Sequence, residues 1–214
     1  MARNKRKGGQ SWWRRRRTQR RLAVAASLAL AIGIVSWLVV RGEGDSGPKN
    51  YFVEPASAFT LPTIAGDQVS LADHLGRHNV LLFFNEGMGC SPCLDQIVDL
   101  DEDWERFGAL DVELVSIMVD PLSDLIAEAR RRGITSIVAA DEDKSVSNAY
   151  NALEFSMHPG IKPGHTFALV DKAGQIIWRW DWIGHGQPMY VEVDEIYGDV
   201  SERLERSGGE QATS

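Results

Sequence analysis

At 214 residues, 43% of them apolar and 25% charged, the chain has room for one domain and an appendage rather than several domains. Its net charge of −7 hides an asymmetry: residues 1–41 hold eleven Lys or Arg and no acid, leaving 12 of the 23 basic residues against all 30 acidic ones in the remainder. A nucleic-acid role for the basic stretch is set aside, because it adjoins an apolar run and so suits lipid headgroups and membrane orientation better.

That run, Leu22 to Val40 (LAVAASLALAIGIVSWLVV), is nineteen residues without a charge. As a helix rising about 1.5 Å per residue it covers roughly 28 Å, close to the hydrocarbon thickness of a bilayer. It has no polar face, unlike a core helix, and it follows Arg14 to Arg17, Arg20 and Arg21, a flank that holds an N-terminus in the cytoplasm. Leu38-Val39-Val40 offers no small-x-small cleavage site, and no Cys follows closely enough for a lipid anchor. The expectation is a basic cytoplasmic tail at 1–21, an uncleaved signal anchor at 22–40, and an exported remainder in a single-pass protein of the cell membrane.

A Gly-, Pro- and Ser-rich linker is expected at 41–56. Phe59 to Leu61 and Gln68 to Leu71 flank Ala65-Gly66-Asp67 and predict a hairpin. Val80 to Phe84 (VLLFF) predicts a strand buried on both faces, and Leu94 to Phe107 an amphipathic helix. Strands are further expected at Val112 to Val119, Ile137 to Ala140, Thr166 to Val170 and Gln175 to Trp182. Helices are expected from Pro121 to Arg132, Lys144 to Ala152 and Val193 to Glu205, with a polar tail at 207–214. Strands alternating with helices predict an α/β three-layer sandwich over residues 57–206.

Both cysteines fall in one motif, Cys90-Ser91-Pro92-Cys93. A purely structural disulfide closing so short a loop gains only about 2 kcal/mol in the chain-entropy model. A structural zinc site needs four ligands, and there is no second CxxC. A redox dithiol, or a two-thiolate metal site completed elsewhere, remains. Cys90 follows a buried strand and a short Gly-containing loop and opens a helix, where backbone N–H groups favour a thiolate. Pro92 suits the first turn, where its missing N–H is not needed. Cys90 is therefore expected to be the nucleophile and Cys93 the resolving thiol.

Four stretches carry a family resemblance. Ala58 to Leu71 (AFTLPTIAGDQVSL) is similar to the opening hairpin of redoxin domains. VLLFF followed by CSPC resembles the thioredoxin active-site segment. Ala140 to Tyr150 resembles a stretch of peroxiredoxins, and His165 to Ile176 resembles the closing hairpin of both. The exported domain thus resembles the peroxiredoxin/thiol-specific-antioxidant and envelope thioredoxin-like superfamily. The resemblance implies a thioredoxin-like fold and thiol chemistry with no cofactor. It also implies partners that are protein thiols or disulfides of the cell envelope, together with a membrane thiol relay.

There are departures as well. Peroxiredoxins carry Pro seven and Thr three residues before the peroxide-reacting Cys. Counted from Cys90, this chain has Phe83 and Gly87 there, and counted from Cys93 it has Glu86 and Cys90. Thioredoxins carry Trp before the first Cys and a cis-Pro opposite the motif, where this chain has Gly89 and His165, with Pro163 two residues earlier. On the resemblance, His165 faces the cysteines, to tune the thiolate or complete a Cys90–Cys93–His165 copper site. Copper assembly factors of this fold, however, separate their cysteines by three residues and place the His earlier. Glu86 is a candidate proton acceptor for Cys93. Met157 and His158 are expected at the rim, and His74, His78 and His185 on the surface. Trp178, Trp180 and Trp182 are expected to pack under a helix, and Asp95 with Asp99 to Asp103 to form a solvated helix face. The leading expectation is a thiol–disulfide oxidoreductase. The alternatives are a peroxide-reducing antioxidant enzyme and a copper-binding assembly factor.

Overall fold

Asn79–Phe84 (β4), buried at all six residues, lies at the centre of the sheet around which the chain is built. The computed structural model describes residues 53–185 and 189–211. The expected anchor at 22–40 and the basic tail lie outside them, as does the linker up to residue 52. Among the described residues no helix is long and apolar enough to cross a membrane.

The other strands are β1 (Glu54–Pro55), β2 (Thr60–Pro62), β3 (Gln68–Ser70), β5 (Val112–Met118), β6 (Ile137–Ala140), β7 (Thr166–Val170) and β8 (Gln175–Asp181). The helices are α1 (Leu71–His74), α2 (Ser91–Glu102), α3 (Trp104–Ala109), α4 (Leu122–Arg132), α5 (Ser145–Ala149), α6 (Trp182–His185) and α7 (Val193–Gln211). Six strands form one sheet in the order β1-β8-β7-β4-β5-β6, and β2 pairs with β3 in a separate hairpin. The β4–β5 and β5–β6 pairs are parallel, which requires the helical crossovers the sequence supplies. The β4–β7, β7–β8 and β1–β8 pairs are antiparallel.

Strand alternation divides the core. Leu81 and Phe83 point to the face covered by α2, α3, α4 and α7, with Ile97, Phe107, Leu125, Ile196 and Val200 packed on them. Val80, Leu82 and Phe84 point to the face covered by the hairpin, α1 and α5, against Leu61, Val69, Leu71, Val146 and Tyr150. Phe83 stacks on Phe167 with ring centroids 4.4 Å apart, and burying such a ring is worth about 2–3 kcal/mol. This is the thioredoxin-like mixed sheet with flanking helices.

The expected elements need four corrections. The last two residues of the expected linker that lie in a strand, Glu54 and Pro55, pair with β8 at the sheet edge. The single helix over 94–107 is two, because Asp103 (φ −99°, ψ 13°) leaves the helical course. The final helix continues to Gln211 through part of the expected polar tail, since elongating a formed helix needs only one more bond per residue. His74 is buried, not on the surface, with Nδ1 2.8 Å from Glu113 of β5, a partner 39 residues away. Trp178, Trp180 and Trp182 do pack in the α7-side core, Trp182 from the start of α6.

Candidate functional site

β4 delivers the chain into a loop at 85–89 that is held from three directions. The Asn85 side chain, fully buried, accepts the Gly87 N–H at 3.0 Å. Asp120, just past β5, accepts the Met88 N–H at 3.0 Å. Lys162, from the long connection before β7, donates to the Glu86 carbonyl (2.7 Å), the Met88 carbonyl (2.8 Å) and the Asp120 carboxylate (3.0 Å). Gly87 is required here twice over. Its φ is +65°, and an added Cβ would lie 2.0 Å from the Asp120 carboxylate.

The loop presents Cys90 as the N-cap of α2, with Pro92 in the first turn. The Cys90 sulfur accepts the Cys93 N–H at 3.3 Å, and the two sulfurs form a disulfide. Cys90 keeps 7% of its surface exposed and Cys93 none. A backbone N–H and a helix terminus directed at a sulfur favour its thiolate form, and both are directed at Cys90. Of the pair, Cys93 is wholly enclosed and Cys90 retains the small exposed fraction.

His165 lies just before β7, fully buried against Phe83 (4.5 Å between ring centroids), Phe167 and Trp180, on the sheet face that carries α2. Neither ring nitrogen has a protein partner. Burial lowers its pKa from 6.5 to about 3, so the ring is neutral at physiological pH and offers the cysteines no positive charge. Among the described residues no three His, Cys, Asp or Glu side chains are placed to hold a metal, the alternative set of Cys90, Cys93 and His165 included.

Glu86 is buried, and its carboxylate accepts from Ser156 at 3.3 Å and stands 3.5 Å from His158 Nδ1. Its partners are in the 156–158 loop, and neither cysteine is among them. Met157 and His158 are exposed, as expected of rim residues. The acids of α2 are more engaged than a solvated face implies. Asp95 pairs with Arg132, Asp101 accepts the Thr135 N–H, and Asp99 accepts from the Tyr190 hydroxyl.

Sequence reasoning missed Met189. Its Sδ lies 3.2 Å from Cys90 Sγ and 3.7 Å from Cys93 Sγ, and with both cysteines oxidised these are sulfur–sulfur contacts. Two clamps set it there. The buried Gln96 side chain of α2 accepts the Val191 N–H at 2.8 Å, and Asp99 accepts from Tyr190. Burial first, then the Asp99 hydrogen bond, raises the Tyr190 pKa. No sequence signal links residue 189 to residue 90. A cavity of about 430 Å³ between the β2–β3 hairpin and α4, lined by Ile64, Val69, Ile126 and Ile134, contains neither cysteine.

A family model described as the AhpC/TSA family matches residues 53–179. A protein of Mycobacterium tuberculosis strain H37Rv, provisionally named a peroxiredoxin, is 31% identical over 128 residues, covering 58% of this chain and 80% of that one. Peroxiredoxin Bcp of Bacillus subtilis is 23% identical over 119 residues, covering 54% and 74%. Among solved structures, the reduced 2-Cys peroxiredoxin of Plasmodium vivax superposes with a TM-score of 0.64 at 22% identity, covering 74% of this chain and 99% of that one. That likeness shows the fold.

Proposed function

Because this chain belongs to the AhpC/TSA family, whose members carry out thiol-dependent oxidoreduction, we propose that it is a thiol–disulfide oxidoreductase working through Cys90 and Cys93. One observation carries the reading: Cys90 caps a helix and keeps a small exposed fraction, while its disulfide partner Cys93 is fully buried one turn along. In the reducing direction, the Cys90 thiolate attacks a partner disulfide and one partner sulfur leaves as a thiolate. The Cys93 thiol, losing its proton, then attacks Cys90 in the mixed disulfide and expels the second partner sulfur. Two electrons pass to the partner and the Cys90–Cys93 disulfide closes. The oxidising direction is the reverse of these steps.

Peroxide reduction is the second reading, and the family match together with the names of the relatives favours it. What weighs against it is local. Phe83 is wholly buried on Phe167, and Gly87 has no hydroxyl, with the space beside it filled by Asp120. We place the protein, by the same proposal, on the outer side of a membrane, supported by the apolar run at 22–40 and its basic flank. Its partners are then protein thiols or disulfides of the envelope and a membrane thiol relay.

Cys93→Ser is expected to trap mixed disulfides through Cys90, whereas Cys90→Ser traps few. The wild-type chain is expected to exchange with small disulfides faster than it consumes hydrogen peroxide. Equal trapping by both variants would remove Cys90 as nucleophile, and faster peroxide turnover would establish the second reading instead.

A further inference from the structure

We propose that, once its disulfide is reduced, the chain binds one soft monovalent cation of the Cu(I) class through three sulfurs: Cys90, Cys93 and Met189. The thioether is already in place, 3.2 Å and 3.7 Å from the two cysteine sulfurs. These nearly equal distances set Met189 beside the sulfur–sulfur bond rather than along its extension. A metal–thiolate bond of about 2.3 Å puts the sulfurs of a trigonal centre about 4 Å apart, so both Met189 edges need open by less than about 1 Å. The third edge is the disulfide itself. An external dithiol opens it, supplying two electrons and two protons and leaving as its own disulfide. The cation then enters as the thiols lose protons.

The donor set selects the metal. Two thiolates and a thioether are soft ligands that suit Cu(I), whereas a structural zinc site wants four donors, and among the described residues no His, Asp or Glu joins the cysteines. Cys93 is fully buried and Cys90 nearly so, which keeps water from filling a fourth position. Nor is the Met189 position left to a loose loop, since Gln96 and Asp99 hold the two residues that follow it against the helix that carries Cys93. An apolar cap over the disulfide would need no sulfur, which makes the sulfur the testable part.

The full chain, reduced with a dithiol and freed of it without oxygen, is titrated with Cu(I) against a coloured Cu(I) chelator and studied by X-ray absorption at the copper edge. The expected result is one ion per chain with three sulfur neighbours. Met189→Leu is expected to weaken binding at least tenfold and to leave two sulfurs on the metal. A two-sulfur shell or one containing nitrogen in the wild type, or unchanged affinity in Met189→Leu, overturns the site. The wild-type spectrum decides without the variant, should the variant fold poorly. Disulfide turnover enters neither measurement, so the result is separate from that for the proposed function.

Discussion

On one side of the Cys90–Cys93 pair stands the loop at 85–89, and on the other Met189 to Val191. The loop continues directly from β4 and is held by groups rooted at the same end of the sheet: Asn85, Asp120 after β5, and Lys162 before β7. Met189 arrives from 99 residues away and is held through two side chains of α2, Gln96 and Asp99. The first side is overdetermined, with a positive-φ glycine, a buried amide and a bridging lysine all specifying one course. The second rests on few bonds, so it is the side that can move when a partner or an ion approaches the sulfurs.

The largest expected effect is on the floor of the sheet side, at His165. Between its ordinary pKa of 6.5 and its folded value of about 3, the unfolded chain binds a proton that the folded chain does not. Stability is therefore lost as pH falls through that window, by up to about 1.4 kcal/mol per pH unit. His165→Leu is expected to flatten this limb, as read from denaturant midpoints at pH 7, 5 and 4. An unchanged slope would show that the ring is not a buried neutral base.

Lys162→Met removes two hydrogen bonds to the loop and one to Asp120, which itself holds the loop. With the lysine partly exposed, a loss of about 1–2 kcal/mol is expected, together with faster amide exchange at Met88 but not at Val191. Gln96→Leu tests the other side. It is expected to cost about 1 kcal/mol and to release the Val191 amide to exchange, leaving Met88 protected. If each substitution loosened both amides equally, the two sides would be one cooperative unit and the contrast would fail.

Much of this was legible in order along the chain. VLLFF had to be a central strand because an unbroken apolar run tolerates burial on both faces, and β4 is buried throughout. Placing CSPC after it put Cys90 at a helix start, since Pro92 fits only the first turn and a CxxC spans one turn. These features depend on neighbours within a few residues, which periodicity and turn chemistry encode. His74 bonding Glu113, Glu86 turned to Ser156 and His158, the neutral state of His165, and Met189 against the sulfurs were decided by tertiary structure alone. Each is a contact between segments that the sheet order and the helix packing bring together. A side chain's partner and its dielectric surroundings exist only once those distant segments have closed on it.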